Sequence, residues 1–485
     1  MEEMRRKLRT DLPGNPRYQP KELIPYFGYD NLYRFVGEVE IANLQVLGEI
    51  GVIPPEDARL LTKELIVAIL EISTTQVDKI EREITKHDIR AWVRQAQEVV
   101  ALRLSPPELV NRWIHVPLTS YDPIETARAL QLVRSFNGVI KPLTKEVILI
   151  LAELAERFAN QLQVGRTHGQ HALPITVGFW LATILSRIIY NYQRLEEHAS
   201  QLVGKISGAV GAHNAQICLG LDDRCGGRSY EQRVLDKLGL QPARISTQIL
   251  PPEPGAYFYF SALMLSASFG QLGRDGRQLM RTEINEIAEG FEAGQVGSST
   301  MAQKRNPINF ENLEGMFWRT KNEFGKVLDT LISEHQRDLV GSSIARDFPI
   351  IIINLCQQLS TLLRKNNQGV EFLRRLTVNA DACATNLAMS AKTILAEPIY
   401  IALQMAGYSG DAHELVNREL MPLVNQTGKS LIEVAEFRAA SNSDLATALA
   451  LIPDDVRDLL GRPEHYIGDA PKKTILIVEL ARSIV

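Results

Sequence analysis

Residues 258–287 read FYFSALMLSASFGQLGRDGRQLMRTEINEI. Apolar side chains recur in this stretch every three or four residues, the spacing of one face of an α-helix. At about 1.5 Å of rise per residue such a helix runs ~40 Å, longer than an ordinary globular helix. The same spacing runs through Asn31–Leu47, Val139–Leu162, Phe179–Leu202 and Phe310–Ile332, while strand signals are weak and isolated. The chain is therefore expected to be nearly all helical. Long helices must bury long apolar stripes. A four- or five-helix bundle does so, and the apolar surface left over favours association of bundles into a homo-oligomer.

Around these helices the composition is ordinary. The 53 Lys and Arg against 57 Asp and Glu leave a net charge of −4 with no basic block, which argues against partners bound by neutralising phosphates: no nucleic acid and no membrane surface is expected. Lys141, Lys145, Glu153 and Glu156 cut the apolar stretch from Val139 to Val164, so no segment reads as a membrane span. The basic N-terminus is followed by no apolar signal core, and a cytoplasmic protein is expected. Four cysteines, Cys218, Cys225, Cys356 and Cys383, form no CxxC pair, which fits a reducing compartment without structural zinc.

Glycine and proline gather between the helices, in GRTHGQHALP at 165–174, PPEPG at 251–255 and GQVGSSTMAQKRNP at 294–307. The last of these, following a helix expected to run on to Gly290 and Gly294, is small, polar and cationic. Its amides beside Ser298 and Ser299, with Lys304 and Asn306, suit a carboxylate or a developing negative charge; a capped surface connection is the competing reading. His87, His115, His168 and His171 lie in short polar stretches. HExxH, GxSxG, GxGxxG and GxxxxGK[ST] are all absent, so what survives is acid–base chemistry with no metal and no cofactor expected.

Three separated loops, TSYDPIETA at 119–127, GRTHGQHALPITVG at 165–178 and GSSTMAQKRNPINFE at 297–311, match in order the three signature regions of the fumarase/aspartase superfamily, which the chain resembles. Within it, PRYQP at 16–20, EVEIANLQVLGEIGVIP at 38–54, KHDIRAW at 86–92, GKISGAVG at 204–211, HQRDLVGSSIAR at 335–346 and HYIGDAPKK at 465–473 are similar to the adenylosuccinate lyases. The resemblance implies an all-α, three-domain subunit, with an N-terminal helical domain over 1–118, a central long-helix domain over 119–365 and a C-terminal helical domain over 366–485. It further implies a homotetramer whose central helices form a twenty-helix bundle, with each active site built from loops of three subunits.

The implied reaction is an anti β-elimination that releases fumarate from a succinylated purine nucleotide. By similarity Ser298 is the general base, helped by Lys304 and the loop amides, because a hydroxyl is a poor base at neutral pH. His168 is the general acid toward the leaving nitrogen, and Glu311 orients and charge-balances it. Asn306 and Lys304 hold the succinyl carboxylates, with Thr119 and Ser120 adding hydroxyl donors; Thr167 neighbours the acid. His115 lies by the reacting centre, and His87, beside Asp88, by the phosphate. Arg17, Tyr18, Ser342 and Arg346 resemble the nucleotide-phosphate site, since guanidinium forks match phosphate oxygens. Gln248 contacts the purine–succinyl junction.

Three departures bear on specificity. Ala302 and Gln303 stand where the family has proline and an aromatic or histidine; ILPPEPGAYF at 249–258 replaces a charged segment; Gly341 replaces a polar residue in LVGSS. They bear on the substrate rather than the reaction, and leave as the alternative a related lyase acting on another succinyl or carboxylated adduct, against which Arg17, Tyr18, Ser342 and Arg346 argue; from a different class, a silent helical scaffold is the other alternative, against which the intact Ser298, His168, Lys304 and Glu311 argue.

Overall fold

The computed structural model describes residues 11–290, 300–301 and 303–485. Ser298 and Ser299 therefore lie outside the described residues, as does Ala302. In chain order the principal elements are α1 (Leu32–Glu49), α2 (Asp88–Ala101), α3 (Tyr121–Ser135), α4 (Lys141–Arg157), β1 (Leu162–Thr167), β2 (Gln170–Thr176), α5 (Val177–Ser200), α6 (Tyr230–Leu238), α7 (Glu253–Leu279), α8 (Ile308–Asp329), α9 (Pro349–Leu362) and α10 (Ala380–Ser390). Helix predominates. Phe258, Ala262, Leu265, Phe269 and Leu272 are fully buried, which is the three–four spacing of α7 realised as a packed stripe.

The chain divides into two compact units. The first comprises residues 1–144, 190–270 and 312–361, and the second residues 145–189, 271–311 and 362–485. In the first, α1 packs against α3 and α6 around a core that includes Val39, Leu44, Leu47, Trp92, Leu130, Tyr230 and Val234. Burying each such side chain contributes about 1.5–3 kcal/mol. In the second, residues 396–460 pack a helical cluster around Leu403, Leu415, Leu420, Val434 and Leu445. Ser430 and Glu433 cap one of its helices reciprocally.

Two expectations change on contact with the structure. GRTHGQHALP is not a plain connection but the turn of an antiparallel hairpin, in which Thr167 pairs with Gln170 and Leu162 with Thr176. Two residues remain for the turn, His168 and Gly169, and both have positive φ (+54° and +77°). This is the type I′ arrangement that matches strand twist. Helix α7 ends at Leu279 rather than running to Gly290 and Gly294, because the chain beyond is taken up otherwise: Asn285 is left-handed, Glu286 enters a buried polar network, and Ile287–Ala288 pair antiparallel with Thr377–Val378.

Of the four cysteines, Cys218 is exposed and the other three are buried. Among the described residues no helix is long and apolar enough to cross a membrane.

At the start of α5 the chain crosses α4 closely. A Cβ on Gly178 would lie 2.5 Å from the Ala155 carbonyl oxygen and 2.6 Å from the Ala159 Cα, both backbone atoms that cannot swing aside. Gly178→Ala is therefore expected to destabilise the fold by about 1–3 kcal/mol, read as a lower midpoint in urea unfolding.

Candidate active site

The sequence-predicted site residues fall into both units. In the first, a cavity of about 630 Å³ is lined by Asp88, Ser342 and Arg346 together with Tyr29, Tyr33, Asp78, Glu81, Tyr121 and Arg337. Asp88 opens α2. Its Oδ1 accepts the Ile89 amide at 2.7 Å and lies 3.2 Å from Nδ1 of the exposed His87, where carboxylate and helix N-terminus suit one another. The Tyr29 hydroxyl donates to Asp78 at 2.6 Å. Burial and Asp78 push the Tyr29 phenol up to about 12. Burial likewise raises the Glu81 carboxyl, with Asp88 and Asp78 adding to the effect and the Arg346 guanidinium opposing it.

On another wall, the Arg337 guanidinium sits 3.4 Å from the Tyr121 ring centroid and donates to Gln248 Oε1 at 3.0 Å, while the Tyr121 and Ser342 hydroxyls are 3.3 Å apart. Gln248 and Ser342, far apart in sequence, are thus brought together through Tyr121 and Arg337. Sequence reasoning missed Arg337, although it lies in the quoted HQRDLVGSSIAR. The segment Ile249–Pro252 with Pro254 and Gly255 also lines this cavity.

Thr119 and Ser120 precede α3. The Thr119 amide donates to Asp122 Oδ2 at 2.9 Å, and Asp122 Oδ1 accepts the Ser207 and Gly208 amides at 3.1 and 3.2 Å and the ammonium of fully buried Lys205. GKISGAVG is therefore the counterpart that fixes TSYD. His115 is gripped by buried Glu40. Arg17 is exposed on a short turn capped by Asn15, and the Arg319 guanidinium stacks 4.8 Å from the Tyr18 ring; neither Arg17 nor Tyr18 lines the cavity.

The second unit holds Thr167, His168, Lys304, Asn306 and Glu311. Thr167 and His168 are exposed at the hairpin tip, and Lys304 and Glu311 are also exposed. His168 and Glu311 sit on different elements and are not hydrogen-bonded to each other among the described residues. The hairpin is anchored below its tip by fully buried Glu286. That carboxylate accepts Arg166 Nη2 at 2.7 Å and Nη1 at 3.0 Å, Gln163 Nε2 at 2.8 Å and Asn386 Nδ2 at 2.8 Å. Glu289 similarly holds the first turn of α8, accepting the Asn309 and Phe310 amides at 2.9 Å each and Asn309 Nδ2 at 2.6 Å. Burial raises its carboxyl, and these three donors pull it back. His171, lower on the hairpin, meets Ser390 at 2.7 Å; burial and then Arg166 lower its pKa. Neither Glu286 nor Glu289 stands out in sequence.

Among the described residues no group of three or more His, Cys, Asp or Glu is arranged to hold a metal ion. The chemistry on offer is that of acids, bases and hydrogen-bond donors beside apolar and aromatic walls. The sequence profile of a family described as Lyase matches residues 45–320, more than half of the chain, and the chain belongs to that family. Relatives include the adenylosuccinate lyase of Pyrococcus abyssi, 32% identical over 465 residues, covering 94% of this chain and 95% of that one. Another is the N-acetyl-S-(2-succino)cysteine lyase of Dickeya dadantii, 30% identical over 92% of this chain and 91% of the other. Among solved structures, the 3-carboxy-cis,cis-muconate lactonizing enzyme of Pseudomonas putida superimposes with a TM-score of 0.77 at 22% identity, covering 96% of this chain and 98% of that one. This similarity shows the fold alone.

Glu286→Ala would leave the largely enclosed Arg166 guanidinium without its carboxylate. Removing one partner of such a pair is expected to cost about 3–5 kcal/mol, measured as a fall in the free energy of unfolding in denaturant.

Proposed function

We propose that the protein is an adenylosuccinate lyase, cleaving adenylosuccinate to AMP and fumarate, and the related succinyl-aminoimidazole-carboxamide ribotide (SAICAR) to the free carboxamide (AICAR) and fumarate, in purine biosynthesis. The observation that carries this reading is the 32% identity to an adenylosuccinate lyase over nearly the whole of both chains. The subunit is read as three domains, 1–118, 119–365 and 366–485, assembled as a cytoplasmic homotetramer with active sites shared between subunits. No cofactor is required by the chemistry.

Ser298 takes the proton beside the carboxylate. The C–H electron pair moves toward that carboxylate and then forms the carbon–carbon double bond of fumarate as the C–N bond breaks. His168 delivers its proton to the departing nitrogen, with Glu311 balancing the imidazolium. Lys304 and Asn306 hold the succinyl carboxylates, joined by Thr119 and Ser120, and a dicarboxylate needs such convergent donors once water is excluded. His87, Ser342, Arg346, Arg17 and Tyr18 bind the nucleotide phosphate end, Asp88 contacts the substrate beside His87, and Gln248 contacts the junction. The cavity wall bearing Ser342 and Arg346 supports the part of that assignment that rests on those two residues.

A second reading, a related lyase acting on a different succinyl adduct, is favoured by the same cavity. Its lining includes Asp11, Asp78, Glu81, Asp88, Glu125 and Asp338 against Arg128, Arg337 and Arg346. That balance does not favour a deeply seated dianion, and the proline-rich wall at 249–255 adds no cation. The Dickeya relative, at 30% identity, acts on an adduct without a nucleotide, as its name states.

A spectrophotometric assay with adenylosuccinate, with fumarate measured independently, separates the two. Turnover is expected, and Ser298→Ala and His168→Ala should each lower kcat by at least about 10²-fold, as for loss of a positioned acid or base, with the oligomer intact. Arg17→Ala should chiefly raise KM. A well-folded protein that releases fumarate from N-acetyl-S-(2-succino)cysteine but not from adenylosuccinate would establish the second reading.

A further inference from the structure

We propose that Glu40 is the positioning residue of His115: it holds the imidazole as the Nδ1–H tautomer and leaves Nε2 as the atom His115 offers to the substrate. Glu40 is fully buried near the middle of α1. Its Oε1 lies 2.6 Å from His115 Nδ1, and its Oε2 accepts the His115 amide at 3.1 Å. One carboxylate therefore grips the ring and the backbone of the same residue, 75 positions away in sequence. An ionised carboxylate can only accept, so the ring nitrogen facing it must carry the proton and the other is free to accept one.

The backbone at this point is itself constrained. His115 has φ +68°, a conformation uncommon for a side chain of this size that persists only when its surroundings impose it. They do so from a single face of α1. One turn beyond Glu40, buried Asn43 donates to the Val116 carbonyl at 2.8 Å, and Asn43 is in turn fixed by the Tyr230 hydroxyl at 2.6 Å. The strained conformation, the two-point grip and the latch on the next residue together place an imidazole in one orientation. A histidine that merely filled core volume would need none of the three. The Glu40–His115 pair is a histidine–carboxylate couple separate from His168, and it leaves Nε2 as the ring atom open to a ligand.

The part of the proposal that concerns turnover rests on the reading of the site given above; the tautomer does not. Two measurements on the full-length oligomer keep them apart. The side-chain nitrogen-15 resonances of histidine-labelled protein, with those of His115 assigned by their loss in His115→Gln, report the tautomer without any substrate. The unmodified protein should show His115 as the Nδ1–H form, and Glu40→Gln should lose that preference. With adenylosuccinate, Glu40→Gln should lower kcat about a hundredfold and leave KM within roughly threefold. Glu40→Asp should recover part of the rate. Asn43→Ala, which loosens the Val116 latch without touching the ring, should leave the tautomer in place. An Nε2–H His115 in the unmodified protein, or an unchanged tautomer in Glu40→Gln, would overturn the proposal, as would an Asn43→Ala variant that loses as much kcat as Glu40→Gln, because the role would then be backbone support alone. If the unmodified protein does not turn over adenylosuccinate, the functional reading falls, and the nitrogen resonances still decide the pairing.

Discussion

A carboxylate taken out of water must have its oxygens filled by donors, and in this protein that requirement ties together the segments that carry the chemistry. Glu40 takes the amide and ring of His115. Asp122 takes the Thr119 amide along with those of Ser207 and Gly208. Glu286 takes four donors from β1 and α10, and Glu289 takes three from the first turn of α8. An unpaired charge in any of these places would be costly, so each segment has one arrangement that satisfies it and few that come close. The long helices supply apolar bulk. The buried acids supply definition, and two of them, Asp122 and Glu289, do so at the starts of α3 and α8, where backbone amides have no helical partner of their own.

This division explains which parts of the molecule can be read in one dimension. The helices are written locally: three–four spacing predicted Phe179–Leu202 and Phe310–Ile332, and the structure forms Val177–Ser200 and Ile308–Asp329. The loops that carry His168 and Lys304 announce themselves through glycine, proline and polar residues. Glu40, Asp122, Glu286 and Glu289 do not, because nothing distinguishes a buried acid from a solvated one until its donors arrive from 75, 85, 123 or 20 positions away. The hairpin escaped for a related reason. Its strands are short, one contains Pro174, and the ladder shifts register between Val164 and Arg166, so no clean alternation marks it. Arg337 was visible as a letter of a motif, but its place beneath Tyr121 and beside Gln248 is a matter of three segments meeting.

On the proposed reading the reaction draws on both units: His168, Lys304 and Glu311 belong to one, while His115, Thr119, Ser120 and the residues that surround the cavity belong to the other. The wall from Ile249 to Gly255 carries three prolines, Pro251, Pro252 and Pro254. Its prolines restrict their own backbone, so this wall is preformed rather than adaptive. A ligand group meeting it must fit, since little of the chain can rearrange to accommodate it.

The two-residue tip at His168 and Gly169 sets a counting rule. Side chains on paired strands alternate between faces, and a hairpin closed by two residues leaves no slack in the count. Inserting one residue between Thr167 and Gln170 would exchange the two-residue turn for a longer loop and take His168 out of its left-handed turn position, while helix content stays untouched. For this protein and its descendants, the length of this turn is a different kind of variable from its composition.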